Sequence, residues 1–290
     1  MSIGERSSAR PPACEELSFS LWAGGLRLQA KTILPPDTSL TGNRPTLVFL
    51  HEGLGSITQW RTFPLALAAA TGLPALVYDR CGYGKSEAWA EPPGPSFLET
   101  EAYERLPQLL AACGIEAPIL VGHSDGATIA LLCAARFPGL PLGVLAEAAH
   151  PFVEDQTVQG IWRTLRAFEN TPLRDRLMRH HGAKVDALFH GWSGVWLAPA
   201  FRDWSMVHLL PAITCPVLAI QGERDEYGTP DQVRTILQGV SGPVEGLLLP
   251  GCAHAPHHQA RDQVMARAER FIEGIVTRFS PSARSSGSLG

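Results

Sequence analysis

Several things are missing from this chain of 290 residues, and each absence removes a class of function. No apolar run reaches the ~20 residues that span a bilayer, so no membrane segment is expected. The opening stretch Met1–Pro12 lacks the apolar centre of a secretory signal. The six cysteines are scattered at 14, 81, 113, 133, 215 and 252, with no Cys-x-x-Cys pair. That spacing argues against a disulfide framework and for incidental thiols in a reduced, cytoplasmic setting. Charged residues make up only 18% and the net charge is −4, so no basic face for nucleic acid or an acidic membrane is expected. No internal repeat is visible.

Cofactor motifs are also missing. Gly84-Lys85-Ser86 has the end of a phosphate loop, but Asp79 stands where that motif needs its first glycine. Gly53-x-Gly55 fails as a dinucleotide fingerprint, because its sixth position is Thr58. His180 and His181 adjoin on a helical pattern, so their rings diverge, and His254, His257 and His258 have another reading below. No cofactor and no metal are therefore expected.

What is present is an apolar content of 45%, enough for one substantial core. Leu17–Trp22 and Leu26–Ile33 alternate around Ala23-Gly24-Gly25 and read as an antiparallel hairpin. Short apolar runs follow at Thr46–Leu50, Ala75–Tyr78, Ile119–Val121, Leu142–Leu145 and Val217–Ile220. Each is too short for a helix and apolar on both faces, as central parallel strands are. Helical patterns alternate with them, notably Ser96–Ala112 and Ala127–Arg136, and a last strand Val244–Leu249 precedes a helix from Arg261 to Arg278. The pattern predicts an α/β fold, a mostly parallel central sheet flanked by helices. Residues 1–15 and 280–290 read as disordered ends, 16–150 and 207–279 as the core, and 151–206 as a helical cap. That insertion holds four of the seven tryptophans (162, 192, 196 and 204) with Phe168, Phe189 and Phe201. Most of these rings are expected to form the insertion's own core, with Trp192 and Trp196 as candidates for the substrate pocket.

The most specific stretch is Pro118–Ala130, where an apolar run enters Gly122-His123-Ser124-Asp125-Gly126 and a helical pattern leaves it. A Gly-x-Ser-x-Gly between strand and helix lifts a serine hydroxyl clear of a sheet on a strained turn. The alternative is a helix-entry turn in which Ser124 is only a cap.

Further motifs stand at the ends of other strands: His51-Glu52-Gly53-Leu54-Gly55-Ser56, Asp79-Arg80-Cys81-Gly82-Tyr83-Gly84-Lys85-Ser86, Gly222-Glu223-Arg224-Asp225 and Gly251-Cys252-Ala253-His254-Ala255-Pro256-His257. With the serine turn they resemble, in order, the motifs of the α/β-hydrolase superfamily, over residues 45–278 apart from the insertion. The resemblance implies the α/β-hydrolase fold with a helical cap and a Ser124, Asp225, His254 triad. Chemistry also asks for these three groups, since a serine needs an imidazole to take its proton and a carboxylate to orient that imidazole, and the order Ser…Asp…His is the one expected beside a nucleophile elbow. His257 and His258 compete with His254, and Glu147, Glu223 and Glu226 compete with Asp225. Glu147 is the runner-up for the acid, and His257 for the base. The family pattern favours His254 and Asp225.

For the oxyanion hole, the Asp125 N–H is one expected donor. The other is the N–H of Gly53, or of Glu52 in an alternative register, because Glu52 stands where many relatives carry glycine. Its carboxylate is expected to turn aside into local hydrogen bonding. The activity expected is a cofactor-independent serine hydrolase acting on a small ester or thioester through an acyl-enzyme on Ser124. Amide or carbon–carbon cleavage, acyl transfer or perhydrolysis, and slow ligand sensing are the alternatives. Arg163, Arg166, Arg174, Arg176 and Arg179 either hold a substrate carboxylate or form a solvated face. The partner expected is a small molecule, with no nucleic acid and no membrane; oligomeric state is not legible.

Overall fold

The computed structural model describes residues 14–279. The expected disordered tails fall largely outside them, but Glu15 already opens the first strand. Eight strands form one sheet: β1 Glu15–Ala23, β2 Leu26–Leu34, β3 Gly42–Leu50, β4 Ala75–Tyr78, β5 Ile115–His123, β6 Gly143–Glu147, β7 Val217–Gly222 and β8 Val244–Leu249. Their order is β1-β2-β4-β3-β5-β6-β7-β8. β1 and β2 are the antiparallel hairpin, joined by Gly24 and Gly25 at φ 57° and 78°, the left-handed conformation a two-residue turn requires. β2 runs antiparallel to β4, and from β4 to β8 every pairing is parallel.

The compact apolar runs became central strands because helices cover both sheet faces. Val48, Leu50, Leu120 and Val144 face one side with the helices Leu106–Ala112 and Asp125–Arg136. Leu47, Phe49, Val121 and Leu145 face the other with Phe63–Thr71 and Arg261–Phe279. The chain passes from β3 to β4 on one side and then to β5 on the other. The carboxyl ends of β3 and β5 therefore flank a topological switch point, where open parallel sheets form their crevice.

Two elements differ from the expectations. The pattern Ser96–Ala112 is interrupted by a π-helical turn at Glu101–Arg105. Pro107, just beyond it, has no N–H to give the preceding turn, and its ring crowds the carbonyl four residues back. The strand expected at Leu142–Leu145 runs Gly143–Glu147, which carries Glu147 into the sheet as a buried residue.

Between β6 and β7 lie the helices Asp155–Asn170, Leu173–His181 and Val185–Trp196. An isolated bridge between Phe152 and Ser205 closes the neck of this insertion. Phe168 stacks on Phe189 with centroids 3.8 Å apart, an inner core of its own, whereas Trp162 is 48% exposed. Among the described residues no helix is long and apolar enough to cross a membrane, and all six cysteines are free.

Candidate active site

Ser124 sits between β5 and the helix Asp125–Arg136 at φ 53°, ψ −118°, a conformation that costs a non-glycine residue about 1–3 kcal/mol. The turn is held by Ser124 N–H donating to the Glu147 carbonyl (2.8 Å) and Thr128 N–H donating to the Ser124 carbonyl (3.0 Å). Its two glycines are required by close approach. A Cβ on Gly126 would lie 2.0 Å from the Leu50 carbonyl oxygen, and one on Gly122 would lie 2.4 Å from that of Gly126. Strand β3 and the helix meet there with no room for a side chain. Ser124 Oγ makes no hydrogen bond to another described residue.

Asp225 and His254 come together from the loops after β7 and β8. His254 Nδ1 donates to the Asp225 carboxylate, 2.8 and 2.9 Å from its two oxygens. Tyr227 N–H (2.8 Å) and the Gln221 amide (3.4 Å) also donate to that carboxylate. Burial opposes ionisation of Asp225, but the His254 charge and hydrogen bond hold its pKa below the ordinary value. With Nδ1–H committed to Asp225, His254 Nε2 is left as the acceptor nitrogen.

The runners-up are paired with each other. His257 donates from Nδ1 (2.8 Å) and from its backbone N–H (3.1 Å) to Glu147 Oε2, and both residues are buried. His258 Nε2 donates to the Gln59 carbonyl at 3.0 Å. Glu223 is exposed, and Cys252 Sγ faces Gln259 Oε1 at 3.3 Å. None of these five lines the cavity described below, whereas Glu226 does.

The loop after β3 has a fixed orientation. The Glu52 carbonyl accepts hydrogen bonds from His51 Nδ1 (2.8 Å), Arg80 Nη2 (3.0 Å) and Gly55 N–H (3.0 Å). The described residues contain no cis peptide bond, so the Gly53 N–H of that same peptide points the opposite way. Gly53 and Asp125 both line the cavity, and neither N–H has a partner among the described residues. His51 is neutral: Nδ1 donates to Glu52 while Nε2 accepts from Arg80 N–H (3.0 Å), and burial lowers its pKa well below the usual value.

Arg80 is a residue the sequence did not single out. It is 1% exposed, it stacks over Tyr83, and Nη2 lies 3.7 Å from Asp125 Oδ2. Burial raises the Asp125 pKa to about 6 even so. The Glu52 carboxylate faces His123 Nδ1 at 3.5 Å. Its partner is thus the residue before Ser124 rather than a neighbour in its own loop, and Glu52 still lines the cavity. His123 Nε2 donates to the His254 carbonyl at 2.6 Å. Burial works against a charged His123, but Glu52 raises its pKa to about 9 and His123 lowers that of Glu52.

Ser124, His254, Gly53 and Asp125 open on one cavity of about 270 Å³. Trp192 and Trp196 line it from the insertion, as do Thr157 and Ile161; His150, Glu226 and Tyr227 complete the wall beside Asp225. Trp192 packs so closely on the loop that a Cβ on Gly53 would fall 2.1 Å from its Nε1. The insertion is tied down on both sides. His181 bridges Gly84 N–H (2.9 Å) and the Leu54 carbonyl (3.0 Å), and Thr157 donates to the Tyr227 carbonyl (2.8 Å). The insertion arginines point elsewhere: Arg174 pairs with Asp186 at 2.6 Å, and Arg166, Arg176 and Arg179 are exposed.

Comparison with known proteins bears on the family and the fold. The model of the alpha/beta hydrolase family matches residues 47–268. A mouse protein named serine hydrolase BPHL is 25% identical over 68% of this chain and 69% of its own length. The 2-succinyl-6-hydroxy-2,4-cyclohexadiene-1-carboxylate synthase of Serratia proteamaculans is 32% identical over 57% of this chain and 58% of its own. Among solved structures, the 2-hydroxy-6-oxo-6-phenylhexa-2,4-dienoate hydrolase of a Rhodococcus strain superposes with a TM-score of 0.69 at 18% identity, over 90% of this chain and all 100% of that one. Family match and fold agree, and the chain belongs to the alpha/beta hydrolase family.

Proposed function

We propose that this protein is a cofactor-independent serine hydrolase that cleaves a small ester or thioester through an acyl-enzyme on Ser124. The observation that carries the reading is the Asp225–His254 hydrogen bond opening on the cavity that holds the strained Ser124. His254 Nε2 takes the Ser124 proton as Oγ attacks the carbonyl carbon, and Asp225 stabilises the imidazolium that forms. The developing oxyanion is held by the N–H groups of Asp125 and Gly53. That register is supported by the three hydrogen bonds that turn the Glu52 carbonyl away. His254 then protonates the leaving group and activates the water that releases the acid. The helices of residues 151–206 act as a cap, with Trp192 and Trp196 as the apolar wall against the acyl group.

The test is turnover of a panel of p-nitrophenyl esters and acyl thioesters by wild type and Ser124→Ala. The reading predicts hydrolysis of short uncharged members, and a fall of at least about 10³-fold in the variant. Equal turnover by both proteins contradicts it.

A further inference from the structure

We infer that the acyl group this cavity accepts carries no negative charge. The inference rests on the proposed hydrolase reading and adds the substrate's charge class to it. Among the residues that line the cavity there is no lysine and no arginine, whereas Glu52 and Glu226 both line it. Arg80, His123, Lys184 and Arg163, on the wall or behind it, already have partners. Arg80 lies on Asp125 and donates to the Glu52 carbonyl. His123 itself lines the cavity, held between the Glu52 carboxylate, which matches its charge, and the His254 carbonyl. Lys184 donates to the carbonyls of Tyr83 and Ser86. Arg163 donates to the Glu226 carbonyl from outside the cavity wall.

His150, the other imidazole on the wall besides His123 and His254, is kept neutral by its burial. His150 Nε2 donates to the Tyr227 carbonyl at 3.3 Å, and its Nδ1 is a buried acceptor without a partner. A substrate carboxylate in the cavity would lose water, meet this lone pair and the Glu226 charge, and find only one cation, His123, already matched by Glu52. An ionised group buried without a partner carries a heavy desolvation cost. An uncharged acyl group instead meets Trp192, Trp196, Ile161 and Tyr227, which need nothing from it but contact. The volume of about 270 Å³ limits it to a compact group. The synthase and dienoate hydrolase described above are named for carboxylate-bearing molecules, so the inference separates this chain from both.

The experiment uses isosteric pairs built on the aryl ester that the full-length protein turns over best, its acyl group ended by a carbamoyl or by a carboxylate. The expected result is a kcat/KM for the carboxylate at least about 100-fold below that of its carbamoyl isostere. A carboxylate turned over as well as the carbamoyl overturns the inference and leaves the hydrolase reading intact. Leu54→Lys, at a half-buried position on the wall, should raise the carboxylate-to-carbamoyl ratio at least about tenfold, with its melting temperature showing that it folds. An unchanged ratio in a folded Leu54→Lys variant also counts against the inference. No turnover of any ester, together with an unreactive Ser124, defeats the hydrolase reading itself and this inference with it.

Discussion

Glu52 and His123 face each other at 3.5 Å, and the second nitrogen of the same imidazole donates to the His254 carbonyl. One ring therefore joins the loop after β3, the turn that carries Ser124 and the loop that carries His254. Nε2 is hydrogen-bonded and Nδ1 faces a carboxylate at ion-pair distance, so Glu52 favours the doubly protonated ring and raises its pKa to about 9 against the effect of burial.

Removing either end of this tie should loosen the site without emptying it. Glu52→Gln and His123→Gln are each expected to lower kcat about tenfold or more, with a smaller change in KM, because position rather than substrate contact is lost. Steady-state kinetics on one neutral ester measures the split. A change confined to KM contradicts a positioning role.

The same pair sets a pH dependence of stability. The folded pKa of His123 is raised from 6.5 to about 9, so the native state holds the proton more tightly than the unfolded chain. The resulting stabilisation is fully present below about pH 6.5 and is lost as the pH rises through about 9. Melting temperatures measured from pH 6 to 10 should fall across that window, and the fall should be shallower in His123→Gln.

Arg80 holds the loop and neutralises Asp125 at once. Arg80→Met should lower kcat by about 10²-fold, the size of one lost oxyanion donor. It should also destabilise the protein by about 3–5 kcal/mol, because Asp125 stays buried without its cation. Adding Asp125→Asn should recover stability but not rate, since the Arg80 hydrogen bond to the Glu52 carbonyl remains broken. Denaturant unfolding and kinetics on both variants separate the two effects.

Gly126→Ala places a methyl group 2.0 Å from the Leu50 carbonyl oxygen. A cost of about 3 kcal/mol is expected from this backbone clash. Chemical denaturation measures it.

Much of this arrangement is legible along the chain because strand ends and their loops are local. The apolar runs mark the parallel strands, and the motifs after them place Ser124, Asp225 and His254 at one sheet edge. What sequence reasoning missed depends on groups that meet only in space. Glu147 and His257 each compete for a role in the sequence, yet the fold pairs them with each other, 110 residues apart. Arg80 lies within a visible motif, but nothing in that motif says that it turns under a loop 28 residues earlier. His123 is only the variable position of Gly-x-Ser-x-Gly, although a polar side chain there, next to the serine, was a usable signal. The insertion's Trp192 and Trp196 were visible as aromatic content, whereas the outward direction of its arginines depends on helix phase and packing.

The central claim, that Ser124 is the nucleophile activated by His254, is tested most directly by covalent labelling with a fluorophosphonate, located by peptide mass spectrometry. The account predicts one adduct, on Ser124, that forms quickly in wild type, is slowed at least about 10²-fold in His254→Ala and is absent in Ser124→Ala. An unlabelled Ser124 in a protein that still hydrolyses esters, or labelling at the same rate without His254, would contradict it.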